Sequence, residues 1–383
     1  MSKEMLRVLV VDDSALMRKL IPQIIERDSG IHVVGTAMDG AFALKKIEEL
    51  QPHVITLDLE MPRMDGMETL RAIMRQSRIP VIVVSAHTTQ GASATFKALA
   101  LGAFDFVAKP QDALSANMEA VATELINKIK VAAETRIAKA QPEVPPSRRN
   151  KKSNEKRLPA RRIVAIGVST GGPNALQYVL SQIPADFSAS ILIVQHMPEG
   201  FTEMFARRLN ECCALEVQEA RSGDLLLAGR VLICPGNRHM IARRMPRGDM
   251  AVLSDAPPVN GHRPSADVLF HSVAQEFALT SVGVLMTGMG EDGAEGLGAI
   301  KAAGGMTVAQ SEDTCVVSGM PRAAILKGYA NKIIPLEALS AFLVAHCGND
   351  RGPDRDRIEK IEKKDKTEKN DKSERTHVSS HRS

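Results

Sequence analysis

The chain has 383 residues, of which 44% are hydrophobic, and a formal net charge of +4 at pH 7. A chain of this length is too long to fold around a single hydrophobic core of ordinary size, which favours about two domains. No secretory signal opens the chain and no run approaches the roughly 18 apolar residues of a membrane helix, so we expect a cytoplasmic protein without membrane insertion. Tryptophan is absent and only two tyrosines occur, which argues against an aromatic surface that stacks nucleic-acid bases.

The first segment, residues 5–140, alternates short β-branched runs with helical patterns. The runs are LRVLVV, IHVVGTA, HVITLDL, PVIVVSA and FDFVAKP. Apolar strands that alternate with helices predict a parallel sheet covered on both faces. The last helix of this segment is expected to begin near Asp112, with apolar residues at helical spacing: Leu114, Met118, Val121, Leu125 and Ile129.

A second alternating segment spans about residues 161–347. Residues 141–160, which precede it, carry prolines, polar residues and a positive charge run, as an exposed linker does. Almost no residue past Gly348 is apolar, and we expect a disordered, charged tail there. The five cysteines follow no zinc-site spacing and are odd in number, which predicts buried free thiols at Cys212, Cys213, Cys234, Cys315 and Cys347. The fold class is therefore α/β, with two doubly wound parallel-sheet domains.

Five polar residues follow the predicted strands of the first segment. Asp12 and Asp13 come directly after VLVV, Asp58 follows VITL, Ser85 ends VIVV and Lys109 follows FVA. The carboxyl ends of parallel strands share one edge of the sheet, so we expect these side chains to meet there. Crowded carboxylates repel one another, and Mg²⁺, which prefers oxygen ligands, relieves that repulsion.

Such a site suits phosphoryl transfer. Asp58 can attack a phosphoryl donor, Lys109 can neutralise the developing charge, and the Ser85 hydroxyl can donate a hydrogen bond to a phosphoryl oxygen. Each aspartate taken alone has an ordinary explanation as a turn or helix-capping residue. Five matching residues at the strand ends make independent coincidence the poorer explanation.

The first segment resembles the receiver domain of two-component response regulators, on the residues VVDDS, LDLEMPRMDG, VSA and AKP. The resemblance implies a flavodoxin-like fold and makes Asp58 the phosphoacceptor. It implies that Asp12 and Asp13 help Asp58 to hold Mg²⁺, and that Ser85 and Lys109 contact the phosphoryl group. It also implies a histidine kinase as the phosphodonor.

The second segment opens on a glycine-rich turn between a predicted strand, RRIVAIG, and a predicted helix, GGPNALQYVLSQI. Gly167, Ser169 and Gly171 have the G-x-S-x-G spacing of a nucleophile elbow, and Pro173 fits the first turn of a helix. A dinucleotide fingerprint would need glycine at position 169 and an acidic residue that closes the next strand, whereas Asp186 precedes that strand. The turn alone leaves three possibilities open: a nucleophile, a phosphate loop and a plain turn.

A nucleophilic serine needs a base and a carboxylate that orients the base. His196 ends the strand SASILIVQHMP, and Asp292 lies in the loop after TSVGVLMTG, with Glu291 as its neighbouring competitor. Each alone is explained by an ordinary histidine or a helix-entry carboxylate. Together with Ser169 they follow three separate strands and would meet at one sheet edge, which favours a catalytic triad. The remaining histidines of this segment lie in weaker contexts: His239, His262 and His271.

The chain order Ser, His, Asp differs from the Ser, Asp, His order of α/β-hydrolases. The pattern therefore predicts a serine hydrolase of another lineage. Backbone N–H groups at the helix start near Thr170, and in the TGMGEDG loop, can stabilise the oxyanion of an ester intermediate.

Six motifs of the second segment resemble the chemotaxis-type protein-glutamate methylesterase family: IGVSTGGPNAL, QHMPEGFTEMFARRLN, CPGNRHM, RPSADVLFHSVA, TGMGEDGAEGLGAIKAAGG and TCVVSGMPRAAI. The resemblance implies a Rossmann-like three-layer domain with Ser169, His196 and Asp292 as catalytic residues and the Met289 backbone, beside that of Thr170, at the oxyanion site. It implies hydrolysis of glutamate methyl esters on chemoreceptor helices with release of methanol and, in many members, deamidation of receptor glutamines. No cofactor is expected for the esterase reaction. Ser311 departs from the acidic residue expected at its position.

The two resemblances divide the chain into four regions: a receiver domain (1–125), a helical and then basic, proline-rich linker (126–160), a methylesterase domain (161–347) and a charged tail (348–383). They imply that the unphosphorylated receiver blocks the esterase cleft and that phosphorylated Asp58 releases it. The expected partners are methylated chemoreceptor helices and a chemotaxis histidine kinase, in chemotactic adaptation. No DNA partner is expected.

Two functions of other classes stay open at this point. The basic linker would suit a DNA-binding response regulator, although residues 161–347 offer no basic recognition helix. The turn over residues 167–172 would suit a nucleotide-binding enzyme. Salt-dependent binding to duplex DNA, or tight nucleotide binding, would distinguish these functions from a hydrolase.

Overall fold

The computed structural model of the chain describes residues 5–77, 79–86, 88–109, 117–134 and 157–348. The helix start expected near Asp112, the residue Leu114, residues 135–156 of the expected linker and the charged tail lie outside these residues. No helix in the described ranges combines the length and the hydropathy needed to cross a membrane.

The first domain consists of one sheet and five helices. The strands are β1 (Leu6–Val11), β2 (Ile31–Ala37), β3 (Val54–Leu57), β4 (Val81–Ser85) and β5 (Asp105–Ala108). The helices are α1 (Ala15–Ile25), α2 (Gly40–Leu50), α3 (Gly66–Gln76), α4 (Thr89–Ala100) and α5 (Asn117–Glu134). The strand order is β2-β1-β3-β4-β5 and every pairing is parallel. This arrangement confirms the expected flavodoxin-like sheet.

The strands of this sheet are apolar throughout because both faces are buried. Within β1, Val8 and Val10 pack in the core beneath α1 and α5, while Leu9 and Val11 pack in the core on the opposite face. Four helices begin after a residue whose side chain accepts a hydrogen bond from the first turn, which satisfies an otherwise free N–H group. These capping residues are Ser14, Asp39, Asp65 and Thr88.

The second domain contains a seven-stranded parallel sheet and an antiparallel hairpin. The strands of the sheet are β6 (Ile163–Val168), β7 (Ser190–Gln195), β8 (Glu216–Glu219), β9 (Arg230–Ile233), β12 (Ser281–Leu285), β13 (Met306–Gln310) and β14 (Lys332–Ile334). Their order is β14-β13-β12-β6-β7-β9-β8. The hairpin pairs β10 (His239–Arg243) with β11 (Met250–Ser254).

Helices cover both faces of the second sheet, which gives the expected three layers. The helices are α6 (Gly172–Ser181), α7 (Phe201–Cys212), α8 (Ala266–Phe277), α9 (Ala294–Ala302), α10 (Gly319–Leu326) and α11 (Leu336–Gly348). Helices α6, α7 and α11 pack on one face, and α8, α9 and α10 on the other. All five cysteines are free thiols; Cys213, Cys234 and Cys347 are buried, as expected, while Cys212 and Cys315 are only partly buried.

Three neighbouring strands bring the candidate catalytic residues together. β6 pairs with β12 on one side and with β7 on the other, in parallel register. Ser169 follows β6, His196 follows β7, and the loop that holds Asp292 follows β12. The three side chains therefore emerge at the same edge of the sheet.

The two domains contact each other through aromatic side chains. Helix α4 packs against α6 and α7. Phe96 of the first domain stacks on Phe205 of the second with ring centroids 5.3 Å apart, and Phe106 stacks on Phe201 at 4.9 Å. The Asn174 side-chain amide also donates a hydrogen bond of 2.8 Å across the contact, to a backbone carbonyl of α4. The contact thus joins β5 and α4 to the helix that follows His196.

Candidate active site and phosphorylation site

Ser169 lies in the turn between β6 and α6 and is partly exposed. Its N–H group donates a hydrogen bond of 3.0 Å to the carbonyl of Thr287, in the loop after β12. Gly171 closes the turn with φ of 76°, a conformation that glycine adopts without strain. A Cβ atom at Gly288 would lie 2.8 Å from the Cβ of Ser169. Glycine at position 288 therefore lets the loop after β12 lie directly against the serine.

His196, which is partly buried, and Asp292, which is buried, form a pair beside this turn. His196 Nε2 lies 2.8 Å from Asp292 Oδ2. A carboxylate accepts hydrogen bonds only, so the hydrogen belongs to Nε2 and the lone pair to Nδ1. His196 Nδ1 is buried and has no hydrogen-bond partner among the described residues. The imidazole thus keeps one nitrogen available to accept a proton.

His196 and the start of helix α8 hold Asp292 in its charged form. The Ser265 hydroxyl donates to Asp292 Oδ1 at 2.6 Å and the Ala266 N–H to Oδ2 at 2.7 Å. Burial alone would raise the pKa of Asp292, but the hydrogen bond and charge of His196, with these two donors, lower it to about 2. Asp292 is therefore a carboxylate at neutral pH, and the helix N-terminus stabilises its charge.

Two backbone amides next to the serine have no acceptor among the described residues. The N–H groups of Thr170 and Met289 donate no hydrogen bond within the described ranges. Thr170 is buried, and its carbonyl accepts a hydrogen bond of 2.9 Å from the Thr287 hydroxyl. Met289 directly follows Gly288, the residue that touches Ser169. Free N–H groups beside a nucleophile are what an oxyanion site requires.

Of the residues that competed with His196 and Asp292 for the roles of base and orienting carboxylate, all but one have other partners or are exposed. Glu291 is exposed and pairs with Lys327 at 3.3 Å, away from His196. His239 is buried with its Nε2 3.1 Å from a backbone carbonyl, and His271 is exposed. His262 is different, because its ring lies parallel to that of His196.

Gln195 is a residue of this site that the sequence analysis missed. It is buried, and its Nε2 donates to the carbonyl of Ser169 at 3.0 Å and to that of His196 at 3.1 Å. One side chain thus ties the nucleophile turn to the backbone of the histidine. The sequence did contain an indication of this role, because a glutamine ends an otherwise apolar strand directly before His196.

The first domain gathers the predicted acidic residues at the edge of its sheet. Asp12, Asp13 and Asp58 each offer a carboxylate oxygen, and these oxygens lie within 4.8 Å of one another. Lys109 Nζ lies 2.6 Å from Asp58 Oδ2. It also forms an ion pair of 3.0 Å with Asp12 Oδ2, but this buried oxygen accepts no hydrogen bond among the described residues. The cluster therefore fits a hard cation such as Mg²⁺, which takes oxygen ligands.

The charges of this cluster are coupled. Burial raises the pKa of Asp58, and the charge of Asp12 adds to that effect, while Lys109 opposes it. Burial acts to lower the pKa of Lys109, but Asp58 and Asp12 together raise it above its ordinary value. Ser85 is buried next to this pair, and its carbonyl accepts a hydrogen bond of 2.7 Å from the Lys109 N–H. The five residues predicted for phosphoryl chemistry thus share one sheet edge.

Comparison with known proteins identifies the family that each domain resembles. The model of the CheB methylesterase family matches residues 164–343, and that of the response regulator receiver domain matches residues 8–119. The chain is 62% identical over 356 residues to a protein-glutamate methylesterase/protein-glutamine glutaminase of Koribacter versatilis, an alignment that covers 90% of this chain and 97% of the relative.

Two further relatives with the same name give similar coverage. The protein of Symbiobacterium thermophilum is 47% identical, over 90% of this chain and 97% of its own length. The protein of Salmonella typhi is 45% identical, over 89% of this chain and 96% of its own length. These matches confirm both resemblances seen in the sequence. The chain belongs to the family of CheB-type protein-glutamate methylesterases/protein-glutamine glutaminases that carry a receiver domain.

Proposed function

We propose that this chain removes methyl groups from glutamate methyl esters of chemoreceptors and deamidates receptor glutamines, with Ser169 as the nucleophile. The observation that carries this assignment of residues is the 2.8 Å pair of the partly buried His196 with the buried Asp292, at the sheet edge where Ser169 emerges. Adaptation of chemotactic receptors is the process that such a reaction serves. The cytoplasmic location, the absence of a DNA partner and the absence of an esterase cofactor stay predictions.

The chemistry follows from the arrangement of donors and acceptors. Ser169 Oγ attacks the ester carbonyl while His196 Nδ1 accepts the hydroxyl proton. Asp292 accepts the hydrogen bond from Nε2 and stabilises the imidazolium that forms. The N–H groups of Thr170 and Met289 stabilise the oxyanion, a contribution of about 3 kcal/mol for one such donor.

The tetrahedral intermediate then collapses to the acyl-enzyme, and the acyl-enzyme is hydrolysed, through the same groups. His196 returns its proton to the departing methoxide, which leaves as methanol, or to the nitrogen of a glutamine, which leaves as ammonia. A water molecule then attacks the acyl group while Nδ1 accepts its proton, and His196 returns this proton to Ser169 Oγ as the bond between the acyl carbon and Oγ breaks. The products are a free glutamate side chain and a regenerated Ser169 hydroxyl, so protons and atoms balance.

In the receiver domain we assign Asp58 as the phosphoacceptor. Asp12 and Asp13, with Asp58, would hold Mg²⁺, which when bound neutralises charge on the phosphoryl group. Lys109 supplies a positive charge 2.6 Å from the acceptor carboxylate, and the Ser85 hydroxyl is placed to donate to a phosphoryl oxygen. The phosphodonor that we expect is a histidine kinase.

The domain contact supports control of the esterase by the receiver. Phe106 lies three residues before Lys109 on β5, and Phe201 lies five residues after His196. Their stacked rings therefore link the phosphorylation site to the segment beside the catalytic histidine. We infer that the contact shields the esterase cleft, and that phosphorylation of Asp58 weakens it.

Phosphorylation control predicts a specific response to a small phosphodonor. With Mg²⁺ present, the phosphodonor should raise methanol release from methylated receptor membranes by the parent chain and leave Asp58→Asn unchanged. Asp186→Asn, an exposed aspartate of the esterase domain, is the matched control and should respond like the parent. A normal response from Asp58→Asn would refute the assignment of the phosphoacceptor.

The shielding contact predicts a second, independent effect. Phe96→Ala removes a buried ring from the domain contact and should raise methanol release in the absence of any phosphodonor. An aromatic pair is worth about 1 kcal/mol beyond its buried area. Its loss should therefore raise roughly fivefold the population of molecules in which the receiver does not shield the esterase cleft. Phe42→Ala, at a half-exposed ring on α2, serves as the control. Unchanged basal release by Phe96→Ala would show that this contact does not shield the cleft.

A further inference from the structure

His262 lies face to face with His196. The two ring centroids are 4.0 Å apart and the ring planes differ by 7°. His262 is partly buried. Stacking at this distance leaves no room for water between the rings, so one face of the His196 imidazole is covered by another side chain.

The surroundings of His262 keep it uncharged. Burial and the neighbouring His196 lower the pKa of His262 to about 4. Two carboxylates act in the opposite direction: Asp292 in the esterase domain and Glu124 on α5 of the receiver domain. The result is a neutral ring at the pH where esters are hydrolysed, and therefore a ring that places no charge beside the catalytic imidazole.

A tight turn fixes the position of His262. Val259 and His262 exchange both backbone hydrogen bonds, at 3.0 and 2.9 Å. Asn260 and Gly261 between them have φ of 52° and 77°, the left-handed pair of a type I′ turn. The Asn260 side chain is held in turn by a hydrogen bond of 2.9 Å to Asp267. The ring is thus presented by a hydrogen-bonded turn.

The same short segment supports Asp292. Ser265 and Ala266, which donate to Asp292, follow His262 by three and four residues. Residues 259–267 therefore act on His196 from two directions. Through Asp292 they hold the Nε2 edge of the ring, and through His262 they cover its face.

We propose that His262 is a positioning residue of the esterase: its ring fixes the plane of the His196 imidazole, so that Nδ1 keeps one direction, and excludes water from the covered face. The inference rests on the proposed function, in which His196 is the general base. His262 transfers no proton in this role. Any flat, apolar ring of similar size should therefore replace it, whereas a residue without a ring should not.

The experiment compares His262→Ala, His262→Phe and His262→Asn in the full chain with Mg²⁺ and a small phosphodonor, using methylated receptor membranes. Loss of the ring should lower kcat by roughly three- to tenfold, the fold-change that an aromatic pair contact is worth. KM should stay unchanged, because His262 is not assigned to substrate binding. His262→Phe should restore most of the loss, and His262→Asn should not. His271→Ala, an exposed histidine on α8, is the matched control.

The split between kcat and KM, with the rescue by His262→Phe, separates positioning from a general loss of structure. Removal of the ring should leave the folded chain and its KM in place and lower kcat alone. If His262→Ala does not fold, the Phe and Asn variants decide the question in the same way.

Three results would overturn the inference: full activity without a ring, equal losses in the Phe and Ala variants, or a loss that falls on KM and leaves kcat unchanged. Failure of the proposed function gives a different result. In that case Ser169→Ala, measured alongside, retains methanol release whatever residue stands at position 262.

Discussion

Ser169→Ala should abolish methanol release from methylated receptor membranes while the chain stays folded. The variant removes the atom that we assign as the nucleophile, and loss of the nucleophile of a serine hydrolase costs about 10⁶-fold in kcat. Ser169 is partly exposed and its hydroxyl makes no hydrogen bond within the described residues. The free energy of unfolding should therefore change by no more than about 0.5 kcal/mol.

A serine at the end of the helix that follows Ser169 provides the control for this experiment. The Ser181 hydroxyl, at the end of α6, donates a hydrogen bond of 3.1 Å to the carbonyl of Tyr178. Ser181→Ala should release methanol at the parent rate. Ammonia release from receptor glutamines should disappear with methanol release in Ser169→Ala, because both reactions use one nucleophile. Methanol release that persists in Ser169→Ala would mean that another group attacks the ester.

The sequence was sufficient to place the main residues of both sites because of a general property of parallel sheets. Residues that directly follow such strands emerge at one edge, whatever the order of the strands. Asp58 and Lys109, like Ser169 and His196, are each one or two residues past an apolar run. Their meeting could therefore be predicted from local pattern alone.

The contacts that refine the esterase site depend on long-range packing, which local pattern does not contain. His262 reaches His196 through a turn whose position depends on the packing of α8. The donors to Asp292 come from Ser265 and Ala266, in a segment that precedes β12 in the chain. Which nitrogen of His196 faces the carboxylate is likewise set by the placement of α8 and cannot be deduced from spacing.

The aromatic residues that form the domain contact were missed for the same reason. Phe96 and Phe106 look like ordinary core residues of the first domain, since each lies in an apolar pattern. Only the assembled structure shows that their rings stack on Phe205 and Phe201. The hairpin of β10 and β11 was also not predicted, because its short strands are separated by a long polar turn rather than a recognisable hairpin signal.

Asp292→Asn should lower kcat by about 10⁴-fold, the size of effect seen when the carboxylate of a serine-protease triad becomes an amide. Asp292 accepts hydrogen bonds from His196, Ser265 and Ala266. An asparagine has one acceptor oxygen. Ser265 donates to Oδ1, whereas Ala266 and His196 both contact Oδ2, so an amide whose oxygen stays with Ser265 turns its nitrogen toward Nε2. His196 would then carry its hydrogen on Nδ1 and could not accept the serine proton.

Glu291→Gln is the matched control for this variant. Glu291 is the adjacent residue, is exposed, and pairs with Lys327 instead of His196. We expect it to keep the parent kcat, since a surface ion pair contributes little and lies outside the triad. KM for receptor methyl esters should be unchanged in both variants. Comparable losses of kcat in the two variants would contradict the assignment of Asp292 as the orienting carboxylate.

The pH dependence of stability provides a separate test of the charged state of Asp292. Its pKa is lowered from 3.8 to about 2 in the folded protein. A lowered pKa stabilises the fold above the unfolded value, and this contribution is lost as pH falls through the folded value. The difference in free energy of unfolding between the parent and Asp292→Asn should therefore be constant above about pH 4 and shrink between about pH 4 and pH 2. A difference that stays constant throughout that range, measured by denaturant unfolding, would show that His196 and the donors at the start of α8 do not hold a charged carboxylate.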